Sequence, residues 1–338
     1  MININKQPSK TVKAVGLISG GLDSSLAAKI VKDLGVDVTG VYFAMPWGCC
    51  DKTKAIEVAQ KIGIKFIVLQ LDERYLELVR KPKYGYGTAM NPCRDCRIHM
   101  FSRAAQYMRH IGADFVFTGE VIGQRPMSQM RESMRIIEEE TGLKGKLLRP
   151  LCAQLLDPTE IEKQGLIDRE KLLKINGRGR KEQLELAGQL DIPYNQPAGG
   201  CLLTDKNFAQ RMKDTLDHGY RNFYETIALK WGRHFRFNKD IKVVLGRDSA
   251  ENESLMRHAH PEDTIMQLTD NLGPTAILKA DAPSTQTLAQ VAGLIQRFSR
   301  YKDNETVEAR YWLKKDKNQM RLIHSQKMDE QQIIALTI

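Results

Sequence analysis

One stretch near the N-terminus limits the possible folds more than any other. Val12–Ile18 is a short apolar run that passes directly into Ser19-Gly20-Gly21-Leu22-Asp23-Ser24-Ser25, and Leu22–Leu34 then has helical spacing. A strand that becomes a helix within a few residues is the building unit of an α/β protein. The alternation continues. Val36–Met45, Ile64–Leu71 and Asp114–Thr118 read as strands, and Ala55–Ile62, Phe101–Ile111, Met127–Thr141 and Lys181–Leu190 read as helices. The expectation is a parallel sheet covered by helices on both faces.

The turn itself carries chemistry. The start of a helix presents unpaired N–H groups and a partial positive charge, which together hold phosphate. Gly20 and Gly21 let the backbone approach an anion without a Cβ in the way. Ser19, Ser24 and Ser25 add hydroxyls. Asp23 would repel phosphate, so its natural task is to help hold Mg²⁺ bridging the phosphates. The string is neither a Walker A loop nor a Gly-x-Gly-x-x-Gly fingerprint. It resembles the PP-loop of ATP pyrophosphatases, and that resemblance implies an adenine nucleotide alpha hydrolase-like domain. Such a domain splits ATP between the α- and β-phosphates. The bland alternative is a glycine-rich turn with a serine cap.

The cysteines point to a second chemistry. The chain has 338 residues and six cysteines, too few for a disulfide scaffold. No apolar run of a signal peptide or of a membrane span is present, so a reducing cytoplasm is expected. Cys93 and Cys96 form a Cys-x-x-Cys after Asn91-Pro92, and Cys201 follows Gly199-Gly200. Three thiolates can hold three corners of a [4Fe–4S] cluster and leave one iron open. Zinc, persulfide chemistry on the bare thiols, and a buried structural pair are the alternatives. Cys49-Cys50 is a redox candidate at the end of the second strand, and Cys152 reads as core. The polar cluster Thr118-Gly119-Glu120 with Gln124, Arg125 and Ser128 follows a strand, where open α/β sheets bind ligands. Asn176–Lys181 is a basic loop suited to phosphate or to solvent, and the seven histidines show no ligand spacing.

The pattern changes after about Gly219. Ile241–Gly246, Thr264–Thr269, Thr275–Ala280, Val307–Leu313 and Met320–His324 read as strands, with helices at Glu251–His260 and Thr285–Tyr301. Strands following strands suggest a smaller α+β domain, with Asn207–His218 as the connecting helix. The net charge is +10, and Lys206–Arg247 alone holds ten basic residues against four acids. Phe223, Tyr224, Trp231, Phe235 and Phe237 are interleaved with them. Cations for phosphate and flat rings for bases are what RNA contact uses. The competing reading is a solvated hinge whose aromatics belong to the next core.

Taken together, these segments resemble the tRNA thiolation enzymes, in particular the 4-thiouridine synthetase-like family. The resemblance rests on Ser19–Ser25, Thr118-Gly119-Glu120 with Gly123-Gln124, and Leu148-Arg149-Pro150-Leu151. The last hundred residues resemble the NFACT-R type RNA-binding domain through Val244-Leu245-Gly246-Arg247, Asp263-Thr264-Ile265-Met266 and Pro283–Ser299. The implied organisation is a PP-loop ATP-binding and catalytic domain over 1–205, a basic linker helix region over 206–227, and an α+β RNA-binding domain over 228–338. The implied activity is an ATP-dependent tRNA sulfurtransferase. Ser19, Gly20, Gly21, Asp23, Ser24, Ser25, Thr118, Gly119 and Gln124 would bind ATP and Mg²⁺. Cys93, Cys96 and Cys201 would hold the cluster and, with Asp23, serve catalysis. The implied partners are tRNA and a sulfur donor, either sulfide or a persulfide carrier. No THUMP or rhodanese module is recognisable, so the C-terminal domain would grip the RNA and the cluster would deliver sulfur. The rivals are a non-catalytic RNA-binding protein with a degenerate nucleotide fold and a PP-loop enzyme acting on a small molecule.

Overall fold

The computed structural model describes residues 11–48, 52–194, 200–220 and 222–338. The candidate pair Cys49-Cys50 therefore lies outside the described residues. The chain divides into two compact units, Met1–Cys201 and Leu202–Ile338. No helix among the described residues is long and apolar enough to cross a membrane.

In the first unit β1 (Lys13–Leu17) leads into α1 (Leu22–Asp33), followed by β2 (Asp37–Ala44), α2 (Lys52–Ile62), β3 (Lys65–Gln70) and α3 (Glu73–Arg80). Then come α4 (Cys93–His110), β4 (Phe115–Thr118), α5 (Arg131–Thr141), β5 (Leu147–Leu148), α6 (Glu160–Lys163) and α7 (Lys181–Gln189). The five strands are parallel in the order β3-β2-β1-β4-β5. Both faces are covered, which explains the unbroken apolar run in β1. Ala14 packs on the α1 side with Leu26, Val31 and Phe117, whereas Val15 packs on the α4 side with Phe101, Ala104 and Ile137. Gly16 leaves room for the Phe117 ring, whose Cζ would lie 2.2 Å from an added Cβ.

The strand order has a direct consequence. From β1 the chain winds outward through β2 and β3, then crosses back to β4 on the other side of β1. The reversal point lies between the carboxyl ends of β1 and β4, and a crevice forms there in open α/β sheets. The Ser-Gly turn and the Thr118–Gln124 segment both leave the sheet at that point.

Helix boundaries differ from the sequence reading in two places that matter. The first is α4, which starts at Cys93 rather than near Phe101. Pro92 occupies its N-cap and the Cys96 N–H donates to the Pro92 carbonyl at 2.8 Å. Asn-Pro thus leads into a helix instead of setting a free turn, with the Pro92 carbonyl accepting the first helical hydrogen bond. The second is α3, which the sequence reading left unassigned. Asp72 caps it by accepting from the Arg74 N–H, and it buries Tyr75, Leu76 and Val79.

The second unit opens with α8 (Lys206–His218) and a 3-10 segment at Phe223–Lys230. There follow β6 (Arg233–Asn238), β7 (Ile241–Leu245), α9 (Ser249–His258), β8 (Thr264–Leu268), β9 (Ala276–Lys279), α10 (Thr285–Arg297), β10 (Glu308–Leu313), β11 (Arg321–His324) and α11 (Glu330–Leu336). The strands form an antiparallel sheet in the order β11-β10-β8-β9-β7-β6. Residues of α10 and α11 pack on one face, and Ala228, Leu255 and Trp312 pack on the other. Strand β6 lies in the segment read as basic and aromatic. Phe235 is buried and Phe237 packs against the same core, so these rings are structural. Phe223 is buried as well, while Tyr224 is 54% exposed.

Candidate active site

The Ser-Gly turn is held by its own side chains. Gly20 has φ +76°, and a Cβ there would come within 2.8 Å of the Ala55 nitrogen, so only glycine fits. The Ser24 hydroxyl donates to the Gly21 carbonyl at 3.0 Å and accepts from the Ser19 N–H at 3.2 Å. The Ser25 hydroxyl is fully buried and donates to the same Gly21 carbonyl at 2.9 Å. Ser25 therefore shapes the turn rather than offering its hydroxyl outward. Gly21 takes the N-cap of α1 with no side chain capping the helix, which keeps the first N–H groups free of a side-chain competitor.

The second segment presses directly on the first. A Cβ on Gly119 would lie 2.4 Å from the Asp23 carbonyl carbon and oxygen and 2.5 Å from the Ser24 nitrogen. The backbone after β4 thus packs against the first turn of α1. Burial raises the pKa of Asp23 above the ordinary carboxylate value. The Gln124 side chain and the Arg180 and Arg125 charges pull it back down. Asp23 Oδ1 and Gln124 Nε2 are each buried without a hydrogen-bond partner among the described residues. A carboxylate oxygen left in that state fits a cation. Arg180 belongs to the basic loop, and the structure fastens that loop beside the site. Ile122 bridges Asn176, and the Gly177 N–H donates to the Ile122 carbonyl at 2.8 Å. Ser128 is completely buried, and its hydroxyl has no partner among the described residues.

Below the turn runs a buried charge network. Glu120 and Arg149 are each 2% exposed and meet at 3.1 Å, and Arg149 also binds Glu138. Arg97, one residue after Cys96, approaches Glu120 at 3.7 Å. The network ties the segment after β4 to the start of α4, the helix that carries two of the cysteines.

The thiols converge on a residue that the sequence reading did not single out. Tyr75, 1% exposed on α3, donates its hydroxyl to Cys96 Sγ at 3.1 Å. Burial raises the Tyr75 pKa well above its usual value, and Cys96, Cys201 and Cys93 all add to the effect. Cys96 is thus in contact with the Tyr75 hydroxyl, while Cys93 and Cys201 act on it through their charge. Cys93, Cys96 and Cys201 are partly exposed and in no disulfide. As a donor set they suit a soft metal centre. Among the described residues no three His, Cys, Asp or Glu side chains are grouped closely enough to hold a single metal ion, whereas a four-iron cluster takes its thiolates at wider spacing. Gly199, which precedes Cys201, lies outside the described residues, as do 195–198. Cys152 is core, as read: burial pushes its thiol up to about 11. His99 packs edge-on to Tyr75 at 5.7 Å, and its Nε2 has no partner among the described residues. No spacing rule would have found Tyr75, which only the packing of α3 on α4 brings to Cys96; His99 lies three residues after Cys96 on α4 itself, a spacing that puts both on one helix face.

Residues 12–141 match the tRNA methyl transferase HUP domain family, and residues 232–336 match the NFACT protein RNA binding domain family. The tRNA-specific 2-thiouridylase MnmA of Tropheryma whipplei is 36% identical over 121 residues, 32% of this chain and 34% of that enzyme. The chain thus spans about a third of the first relative it matches. The enzyme of the same name from Bacillus cytotoxicus is 33% identical over 282 residues, 74% of this chain and 72% of that enzyme. A solved 4-thiouridine synthetase–RNA complex with bound ATP aligns with 64% of this chain and 53% of its own, at 23% identity and a TM-score of 0.34. At 33% identity over an alignment that spans nearly three quarters of both chains, the protein belongs to the tRNA 2-thiouridylase family of PP-loop proteins.

Proposed function

We propose that the protein uses ATP to replace a uridine carbonyl oxygen of tRNA by sulfur. The observation that carries this reading is Gly119 packed on the Asp23–Ser24 peptide. It seats the phosphate-type turn and the β4 segment on one crevice, and Arg97 links that crevice to the cysteine helix. A carbonyl oxygen leaves poorly. When it attacks the α-phosphorus of ATP, pyrophosphate departs and the oxygen becomes part of an AMP ester, which leaves readily. A sulfur nucleophile then bonds to the same carbon, and AMP carries the oxygen away.

The roles follow from position. Backbone N–H groups at the start of α1 receive the phosphates, with the Ser19 hydroxyl, which accepts from the Gly21 N–H, beside them. Thr118, Gly119 and Gln124 line the nucleotide side. Asp23 would hold Mg²⁺, whose charge stabilises the departing pyrophosphate. Arg125 and Arg180 face the same carboxylate and add positive charge for the phosphates. Cys93, Cys96 and Cys201 would hold a [4Fe–4S] cluster, which supplies an open iron position for incoming sulfur. The Tyr75 hydroxyl keeps Cys96 Sγ oriented. The second unit, matched to an RNA binding domain, would hold the tRNA.

The test is tRNA-dependent pyrophosphate release, read together with mass spectrometry of tRNA nucleosides from cells with and without the protein. Asp23→Asn should reduce release by at least about a hundredfold while leaving the thermal midpoint unchanged or higher, because the buried charge is gone. Anaerobically purified protein should contain iron and acid-labile sulfide, and Cys201→Ser should lose both. Pyrophosphate release indifferent to tRNA, or an unaltered thionucleoside profile, would refute the proposal.

A further inference from the structure

Helix α3 is short, yet it is fastened to the cysteine helix α4 at two points. At its start Asp72 lies 3.5 Å from Arg103 of α4. One turn on, Tyr75 donates its hydroxyl to Cys96 Sγ at 3.1 Å. The Tyr75 N–H donates to the Asp72 carbonyl at 2.9 Å, so the helix cap and the phenol are set by the same turn. The phenol is also walled in. The Trp47 ring lies 5.8 Å from it and the His99 ring 5.7 Å, and Tyr75 is 1% exposed. Water does not compete for its hydroxyl, which has no second partner among the described residues. A buried phenol holds on to a single partner, because a buried hydroxyl left unpaired is unfavourable.

A hydrogen bond to a sulfur that ligates iron acts on the electrons of the centre. It draws charge off that sulfur. A reduced cluster carries one more negative charge than an oxidised one, so the bond is stronger in the reduced state and the reduction potential rises. Exclusion of water keeps the effective dielectric low and the effect large. The bond reaches Cys96, whereas Cys93 and Cys201 act on Tyr75 through charge. The three ligands are therefore unequal. Replacing a carbonyl oxygen by sulfur, with AMP as the leaving group, consumes no electrons. A centre that presents that sulfur has to stay in one oxidation state, and a raised potential makes loss of an electron to oxygen harder.

We propose that Tyr75 is a positioning residue which, by donating its hydroxyl to Cys96 Sγ, raises the reduction potential of a [4Fe–4S] cluster held by Cys93, Cys96 and Cys201. The proposal rests on the cluster reading of the proposed function and deepens it, naming the residue that protects the centre from oxidation.

The test uses the full-length chain, reconstituted with iron and sulfide in the absence of oxygen. The readouts are iron and acid-labile sulfide content, the midpoint potential followed by electron paramagnetic resonance of the reduced cluster, and the rate of bleaching in air. Tyr75→Phe keeps the ring and loses the hydroxyl. It should hold as much iron as the unmutated chain, bleach faster, and show a reduction equilibrium lowered about tenfold, which is about 59 mV for a one-electron couple. The control is Tyr86→Phe. The Tyr86 hydroxyl donates to the Val79 carbonyl at the end of α3 at 2.6 Å, so its removal loosens the same helix while sparing the sulfur, and the midpoint should stay in place. Where Tyr75→Phe fails to fold or loses its iron, a ring-fluorinated tyrosine in place of Tyr75 keeps the shape and donates more strongly, and the midpoint should rise. An unmoved midpoint in iron-loaded Tyr75→Phe, an equal shift in Tyr86→Phe, or a midpoint that does not rise with the fluorinated ring overturns the role of Tyr75. An unmutated chain that takes up no iron refutes the cluster reading instead.

Discussion

Gly119→Ala is the sharpest single perturbation of this site. The new Cβ would lie 2.4 Å from two backbone atoms of Asp23 and 2.5 Å from the Ser24 nitrogen, where real Cβ contacts essentially never fall below 3.0 Å. The gap must therefore open by at least about 0.6 Å, and ordinary contact requires about 1 Å. Neither side yields cheaply, because both are backbone. One is anchored by β4 in the middle of the sheet and the other by α1, which buries seven of its twelve residues. Overpacking of this kind costs about 1–3 kcal/mol of stability. The larger effect falls on function. A shift of about 1 Å at a phosphate-positioning turn costs roughly a hundredfold in rate. Pyrophosphate release and thermal unfolding of the variant, measured side by side, separate the two. The control is Gly188→Ala in α7, where an added Cβ meets nothing within 4 Å. That change should be neutral or stabilise by up to about 1 kcal/mol. A Gly119→Ala protein that releases pyrophosphate within threefold of the unmutated rate, with an unshifted midpoint, would show that the two segments are not tightly seated.

Two further outcomes are expected. Arg149→Met should lower stability by about 3–5 kcal/mol, because Glu120 and Glu138 lose the cation between them in a place closed to water; a loss under about 1 kcal/mol in urea unfolding would refute the network's structural role. In folded, cluster-free protein Cys152 should resist iodoacetamide at pH 8 while Cys93, Cys96 and Cys201 react, since burial holds its thiol up to about 11 against a usual 9.0. The sign follows from that shift: the folded protein keeps the proton longer than the unfolded one, so the stability Cys152 contributes is full below pH 9 and falls as pH rises from 9 to 11. Cys152→Ala should flatten that slope, and an unchanged slope would contradict the burial argument.

The sequence was informative where the physics is local and opaque where it is not. A strand running into Ser-Gly-Gly and then into a helix can be read from a dozen residues, because helix ends, glycine freedom and apolar period all act within that span. The start of α4 was missed although Pro92 was in view, since Asn-Pro serves equally well as a turn or as the lead-in to a helix. Strand β6 was hidden for a different reason. Its alternation of His234, Arg236 and Asn238 with Phe235 and Phe237 is a half-buried strand pattern, yet the same residues satisfy an RNA-contact pattern. What separates the two is the partner. Arg236 and Lys242 meet Asp214, 22 and 28 residues earlier in sequence, and nothing near them announces it. Lys242 then counts toward net charge but is nearly inaccessible, and part of the basic segment's apparent attraction for polyanions is spent inside the fold. Gly119 shows the same limit at the active site. Its place in a polar turn was legible, but the need for no side chain at all comes from α1, almost a hundred residues away. Motif reading therefore identifies which groups perform chemistry, whereas the contacts that hold those groups at working distance are long-range, and here Gly119, Tyr75 and Arg97 supply them.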